Sequence, residues 1–149
     1  LKLAKKTGQV LVHAFDDREV IAGQGTVALE LVEQLPDLDA VICSVGGGGL
    51  LSGISVVLKE LRPKAKIYGT QAKGAASMVL SLKKGHPIAL SKVETFADGI
   101  AVGTTRKTTF DILRKNVNRM LVADDESIAA AILTLVEKAK IVSEGAAAV

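Results

Sequence analysis

Two hydrophobic periods alternate along this chain. Val41-Ile42-Cys43-Ser44-Val45 is an unbroken run of apolar and small residues, the pattern of a strand buried on both faces. From Leu50 to Leu61 the apolar residues recur at helical spacing. The glycine run Gly46-Gly47-Gly48-Gly49 joins the two. Upstream, Lys2 to Thr7 reads as the end of a helix stopped by Gly8, and Gln9 to Val12 as a short strand. Ala28, Leu31, Val32 and Leu35 share one face of a helix closed by Pro36-Asp37, with Gly23-Gln24-Gly25-Thr26 as a turn before it and Thr26 as its N-cap. Downstream the pattern predicts a strand at Lys66-Ile67-Tyr68-Gly69, a helix from Gly74 to Lys84 closed by Gly85-His86-Pro87, and a helix from Lys107 to Asn116. A strand at Met120-Leu121-Val122 follows. Asp124-Asp125 then open a helix with Ile128, Ala131, Ile132, Leu135 and Ala139 on one face, and Ile141-Val142 is the last strand-like piece. This alternation predicts an α/β fold with parallel strands joined by right-handed crossovers.

Composition narrows the picture. The 149 residues fit one domain able to bury a substantial core, and 3% aromatic content leaves the packing to aliphatic side chains. A net charge of +3, with acids interspersed and no aromatic platforms, argues against nucleic-acid binding. No apolar run has the length of a membrane span, and no signal peptide is visible, so no membrane partner is expected. Cys43, the single cysteine, excludes an internal disulfide and fits a reducing, cytoplasmic setting. Within a buried strand it reads as a small core residue rather than a nucleophile. The chain opens Leu1-Lys2-Leu3-Ala4 without methionine and stops at Gly145-Ala146-Ala147-Ala148-Val149, inside the first turn of a helix, so a piece of a longer protein is expected.

The chemistry centres on the glycine run. Bare backbone at a helix N-terminus offers unpaired N–H groups and the positive end of the helix dipole, a site for phosphate. The alternative is a tight strand-to-helix turn without a ligand. A nucleoside-triphosphate loop is excluded because Leu50, not lysine, follows Gly49. The dinucleotide pattern G-x-G-x-x-G also fails, its last position falling on Leu51 or Ser52. The segment from Thr95 to Gly103 fits neither helix nor strand and is a candidate for lining a site, with Asp98 as an Asx-turn residue. His13 lacks a nucleophile or acid partner and reads as structural, Asp16-Asp17 as solvated or capping, and His86 as a surface cap residue. Glu144 ends a strand-like piece before a turn, where open α/β sheets place ligands.

Taken in order, Gly23-Gln24-Gly25-Thr26, Val45 to Leu50, Ala97-Asp98-Gly99-Ile100 and Glu144-Gly145-Ala146 resemble the threonine dehydratase and serine racemase group of pyridoxal 5'-phosphate (PLP) enzymes, of the tryptophan-synthase-β fold type. The resemblance covers essentially the whole chain. It implies a three-layer, mostly parallel open twisted sheet with helices on both faces, present here as an incomplete part of a single large catalytic domain. It implies PLP as cofactor, with Gly46, Gly47, Gly48, Gly49 and Leu50 around the phosphate, Gly99 against the ring and Glu144 near the ring's polar edge. The activity implied is conversion of L-threonine or L-serine to a 2-oxo acid and ammonia, with the cofactor ring as electron sink. A homo-oligomer, dimer or tetramer, is also implied.

Departures from the family pattern are as informative. Its Schiff-base lysine lies in a Ser-Phe-Lys-type motif upstream of the matching region, and its contact to the pyridine nitrogen lies downstream. Neither motif occurs here, so no residue of this chain is assigned a catalytic role, and the isolated chain is expected to be inactive. Some relatives bind a divalent cation at positions that correspond to Gln71, Ala75 and Ser77. Without carboxylates there, no metal is expected. Serine racemase or serine dehydratase activity is the alternative within the group, and a non-catalytic phosphate-ligand module the alternative outside it.

Overall fold

The computed structural model describes residues 2–149; Leu1, the residue on which the chain opens, lies outside them. Its sheet has three parallel strands, β1 (Ala40–Ser44), β2 (Lys66–Ala72) and β3 (Arg119–Ala123), in the spatial order β1-β2-β3. Parallel neighbours need a crossover between them. Helix α3 (Gly49–Leu61) provides the first, and α4 (Ser77–Lys84) with α5 (Lys107–Asn116) the second. Helices α1 (Lys2–Thr7) and α2 (Arg18–Gln34) precede the sheet, and α6 (Asp125–Thr134) follows it.

Both faces of the sheet receive helices. Ile67, with the half-buried Val41 and Cys43, packs against α2, α3 and α5 through Ala28, Leu51, Leu58, Phe110 and Leu113. Leu51, Leu58, Ile67 and Leu113 are fully buried, a contribution of about 1.5–3 kcal/mol each. At the far end of β2 and β3, Ala72 and Ala123 pack with Ile128 and Ile132 of α6. Strand alternation turns Ala72 to the face opposite Ile67, so α6 covers the other side.

Acidic N-cap side chains begin α2 and α6. Asp17 caps α2 by accepting from Glu19 N at 2.9 Å and Val20 N at 3.3 Å, and Asp124 caps α6 by accepting from Ser127 N at 2.9 Å. The hydrogen bonds from Ser127 hold the Asp124 carboxyl below its ordinary range. Asp16 reaches further and accepts from Thr109 N, in the first turn of α5, at 3.1 Å. The Asp16-Asp17 pair therefore caps two different helices. His86 is exposed, with Nδ1 donating to the Pro87 carbonyl at 3.1 Å, and Gly85 closes α4 at φ 81°.

The sequence reading needs correction at several elements. Gly23-Gln24-Gly25-Thr26 is not a turn but lies inside α2, which starts at Arg18. The Thr26 hydroxyl donates back to Gly23 O at 2.8 Å instead of capping. The glycines there serve helix crossing: a Cβ on Gly53 of α3 would stand 2.4 Å from Ile21 O and 2.5 Å from Gly25 N. Strand β1 is half-buried on the face of Val41 and Cys43 and open on the face of Ile42, which is 64% exposed among the described residues. Burial on both sides belongs to β2, which has a neighbour at each edge. Gln9–Val12 and Ile141–Val142 form no strand; Val10 and Val142 are exposed, and neither segment pairs with a neighbour. The helix read from Gly74 to Lys84 divides into a 3-10 turn, Lys73–Ala75, and α4.

Replacing Gly53 by alanine places a methyl group against backbone that cannot swing aside. The expected loss is about 3 kcal/mol, the upper end of overpacking penalties. Gly23→Ala meets nothing within 4 Å and should gain up to about 1 kcal/mol of helix propensity. Guanidinium unfolding of both variants in the complete protein checks the contrast, and equal midpoints would refute the crossing argument.

Candidate functional site

Beyond β1 the ladder continues for one more residue, with Val45 N donating to Thr70 O at 2.8 Å, and the chain then turns through glycine. Gly48 takes φ 92°, a left-handed conformation that excludes most side chains, and becomes the N-cap of α3. No side chain caps this helix. Helix geometry leaves the first-turn N–H groups of Gly49, Leu50 and Leu51 without an intrahelical acceptor, and the dipole adds partial positive charge at the same point. The junction has the elements of an anion cradle.

The Phe15 ring bounds the cradle. A Cβ on Gly47 would lie 2.3 Å from that ring, and one on Gly49 would lie 2.9 Å from Phe15 Cβ. His13 fixes this aromatic in place. Its Nδ1 accepts from Phe15 N at 3.4 Å and from Asp16 N at 3.1 Å, and its ring meets the Phe15 ring edge-on at 4.6 Å. The structural reading of His13 agrees with this geometry.

A cavity of about 640 Å³ opens beside the turn, past the C-terminal end of β1. Gly46, Gly47, Gly48, Gly49 and Leu50 line it from one segment, Gly99 from a second and Glu144 from a third. In open α/β sheets this end of the strands is where ligands bind. Gly99 belongs to the loop between α4 and α5, in a 3-10 turn Asp98–Ile100. That loop is pinned to α6: Thr95 Oγ1 donates to Asp125 Oδ1 at 2.7 Å, and Phe96 N donates to Asp125 Oδ2 at 3.1 Å. A Cβ on Gly99 would touch the Ala146 methyl at 2.9 Å and approach Glu144 Oε1 to 3.5 Å. The second and third segments are therefore in direct contact. Glu144 is exposed, begins the 3-10 turn Gly145–Ala147, and is unpaired by any cation among the described residues. Asp98 accepts from Gly99 N at 3.0 Å, a local contact to the adjacent residue rather than a full Asx turn.

Other lining residues escaped the sequence reading. Phe15, Gln24, Ser44, Ile100, Val102 and Ala146 also face the cavity. Gln24 and Ala146 lay inside two of the motifs that carry the resemblance, and the run Thr95 to Gly103 flagged Ile100 and Val102 as a region, but nothing local marked Phe15. Its signal lies in the glycine run, whose missing side chains it fills from outside.

Of Gln71, Ala75 and Ser77, for which no metal is expected, the structure joins the first two. The Gln71 amide nitrogen donates to Ala75 O at 3.2 Å, while Ser77 Oγ donates to Val102 O at 3.1 Å. A second groove of about 660 Å³ runs between α2, α3 and α5. Its walls are mainly apolar, its Lys107 is paired with Asp111, and Arg18 is a single side-chain cation at its edge, so it lacks the converging backbone N–H groups of the glycine turn. The cavity at the turn can hold an anion on backbone N–H groups and present a carboxylate, Glu144, to another part of the same ligand.

Comparison with known proteins places the chain among relatives of one kind. The sequence pattern of a family described as "Pyridoxal-phosphate dependent enzyme" matches residues 1–149. An L-threonine ammonia-lyase from Thermotoga maritima is 48% identical over 149 residues, which is 100% of this chain and 37% of that protein. The chloroplastic threonine dehydratase 2 of Solanum lycopersicum is 41% identical over 100% of this chain and 25% of its own length. Among solved structures, the processed form of threonine deaminase isoform 2 from Solanum lycopersicum superposes with a TM-score of 0.96 at 40% identity, over 99% of this chain and 43% of that one. Maize serine racemase gives a TM-score of 0.93 at 34% identity, over 97% and 44% respectively. The chain thus spans well under half the length of each of these proteins.

Cys43 lies on β1 just before the turn, and burial pushes its thiol from 9.0 up to about 11. Because the thiolate is the reactive form, iodoacetamide should modify it about a hundredfold more slowly at pH 8 than an ordinary exposed cysteine. The rate should climb only as pH approaches 11. Free-thiol reactivity at pH 8, measured on the folded complete protein by mass spectrometry, would contradict this burial.

Proposed function

The chain belongs to the pyridoxal-phosphate dependent enzyme family, and on that premise we propose that it is part of the single large catalytic domain of a threonine dehydratase. The observation that supports this reading most is the convergence of Gly46 to Leu50, Gly99 and Glu144, drawn from three distant segments, on one cavity. Relatives named threonine ammonia-lyase or threonine dehydratase, at up to 48% identity, support the same choice.

The residues present suit the cofactor. Its phosphate dianion needs aligned donors without intervening side chains, which the turn at Gly48 and the uncapped start of α3 offer. The N–H groups from Gly46 to Leu50 hold the phosphate in this reading, and Gly99 leaves a side-chain-free surface for the ring. Glu144 stands near the ring's polar edge, where its carboxylate accepts a hydrogen bond and fixes orientation. Bound pyridoxal phosphate supplies an electron sink for negative charge developing at the substrate α-carbon. Phe15 and Ile100 keep water from the phosphate end of the cavity.

The reaction is conversion of L-threonine, or L-serine, to the corresponding 2-oxo acid and ammonia. The Schiff-base lysine and the pyridine-nitrogen contact come from parts of the protein outside these residues, and the 149 residues alone are inactive. We place the enzyme in the cytoplasm as a homo-oligomer, dimer or tetramer, without nucleic-acid or membrane partners; among the described residues no helix is long and apolar enough to cross a membrane. The superposition with maize serine racemase supports a second reading, racemisation of serine on the same scaffold.

The test uses the complete protein that carries this chain, purified with PLP and given L-threonine and L-serine separately. Cofactor absorbance together with 2-oxobutanoate from L-threonine is the expected result. D-serine as main product, resolved by chiral chromatography, would favour the racemase. Cofactor binding without turnover of either amino acid would leave only a phosphate-ligand module.

A further inference from the structure

Gln71 sits in the interior of the molecule, fully buried on β2, the middle strand. A buried primary amide is costly unless its donors and acceptor find partners. Here Nε2 donates to Gly46 O at 3.3 Å and to Ala75 O at 3.2 Å, while Oε1 accepts from Val79 N at 2.9 Å. The acceptors fix the orientation of the amide. Reversed, it would set an oxygen against two carbonyl oxygens and an NH2 group against an N–H.

Each bond has a structural consequence. The Val79 N–H lies in the first turn of α4, whose N-cap residue, Ala76, provides no side-chain cap, so Gln71 serves as a cap from outside the helix. Ala75 ends the 3-10 turn that leads into α4. Gly46 begins the glycine turn and has no side chain of its own to hold it. Its carbonyl is on the peptide unit whose N–H belongs to Gly47, so fixing that oxygen fixes the plane, and with it the direction of the next N–H.

We propose that Gln71 is a positioning residue for the cofactor phosphate: its amide holds the Gly46 carbonyl and so aims the N–H groups of the glycine turn into the cavity. The inference rests on the proposed binding of the phosphate at that turn. Gln71 does not itself line the cavity and acts only through Gly46.

Glu at this position separates the roles. Gln71→Glu keeps an oxygen that can accept from Val79 N and so preserves the cap of α4. It replaces two N–H donors by at most one O–H, because burial favours the neutral acid, so the carbonyls of Gly46 and Ala75 can no longer both be held. Gln71→Met keeps the length of the side chain and removes every hydrogen bond.

The experiment titrates PLP into the complete apo protein, wild type and variants, following cofactor absorbance, with the 31P NMR shift of the bound phosphate as a second readout. Far-UV circular dichroism checks folding. Expected are wild-type binding, a loss of affinity of roughly tenfold or more in Gln71→Glu, the order expected when buried carbonyls lose their donors, and a displaced 31P signal. A folded Gln71→Glu protein with affinity within twofold of wild type and an unmoved 31P signal would overturn the inference. Absence of PLP binding by the wild type would instead overturn the phosphate site itself, and the inference with it. Should both variants fail to fold, hydrogen exchange on the wild type decides. PLP should then protect Val79 N–H together with residues 46–50, and protection of the turn alone would count against Gln71.

Discussion

The fold turns on a strand-to-helix junction with room for no side chain. Between Val45 and Leu50 the backbone must leave the sheet, reverse into a left-handed residue at Gly48, and start α3 with its first N–H groups free. The same backbone is pressed from outside by Phe15 and from below by Leu113, which would stand 2.9 Å from a Cβ on Gly48. Space at this point is already allotted to packing on one side, which leaves the other side, the cavity, for a ligand. The proposed anion binding there would follow from helix geometry and from what the surrounding residues decline to fill.

Neighbouring elements are fixed relative to the junction by a small set of polar contacts. Asp16 ties the segment that carries Phe15 to the start of α5, and Asp125 ties the loop that carries Gly99 to the start of α6. Both contacts join a cavity-lining segment to a helix N-terminus packed into the core. Loops so anchored hold their shape without regular hydrogen bonding of their own. The crossing of α2 over α3 at Gly25 and Gly53 brings Gln24 to the rim, because the helices approach closely enough for their backbones to touch. Position at the site thus depends on packing well away from it.

Legibility in the sequence followed the range of the interaction involved. The helices α3 and α5, the strands β2 and β3 and the glycine turn are set by local period and local turn chemistry, and these were readable. Gly25 was not, because a glycine in a turn and a glycine at a helix crossing look alike until the second helix is known. The run Val41 to Val45 announced a strand but not that one of its faces lies open among the described residues, since exposure of Ile42 depends on what packs over that face. Val10 and Val142 are apolar enough for strands, yet a strand without a partner has no acceptor for its N–H groups. At the site, the glycine run stood out through residue type, and Gly99 and Glu144 through the resemblance of the ordered motifs, whereas Phe15 is an unremarkable aromatic until its contact with Gly47 is seen.

That difference bears on how one scaffold can serve a dehydratase and a racemase. The cradle is made of backbone, and backbone donors recognise a phosphate whatever is attached to it. Nothing in Gly46 to Leu50 reads the amino-acid side chain. Residues that could do so must approach the amino-acid end of the ligand, and besides the turn this chain lines the cavity with Gly99, which lies against Gly46, and Glu144. Gly99 offers no side chain, and the Glu144 carboxylate is suited to orientation rather than to shape selection. In the proposed reading, choice of reaction rests with groups that meet the substrate from outside these residues, on a phosphate anchor that need not change. The superposition with both threonine deaminase and serine racemase structures fits that proposal, since one fold can host different chemistries.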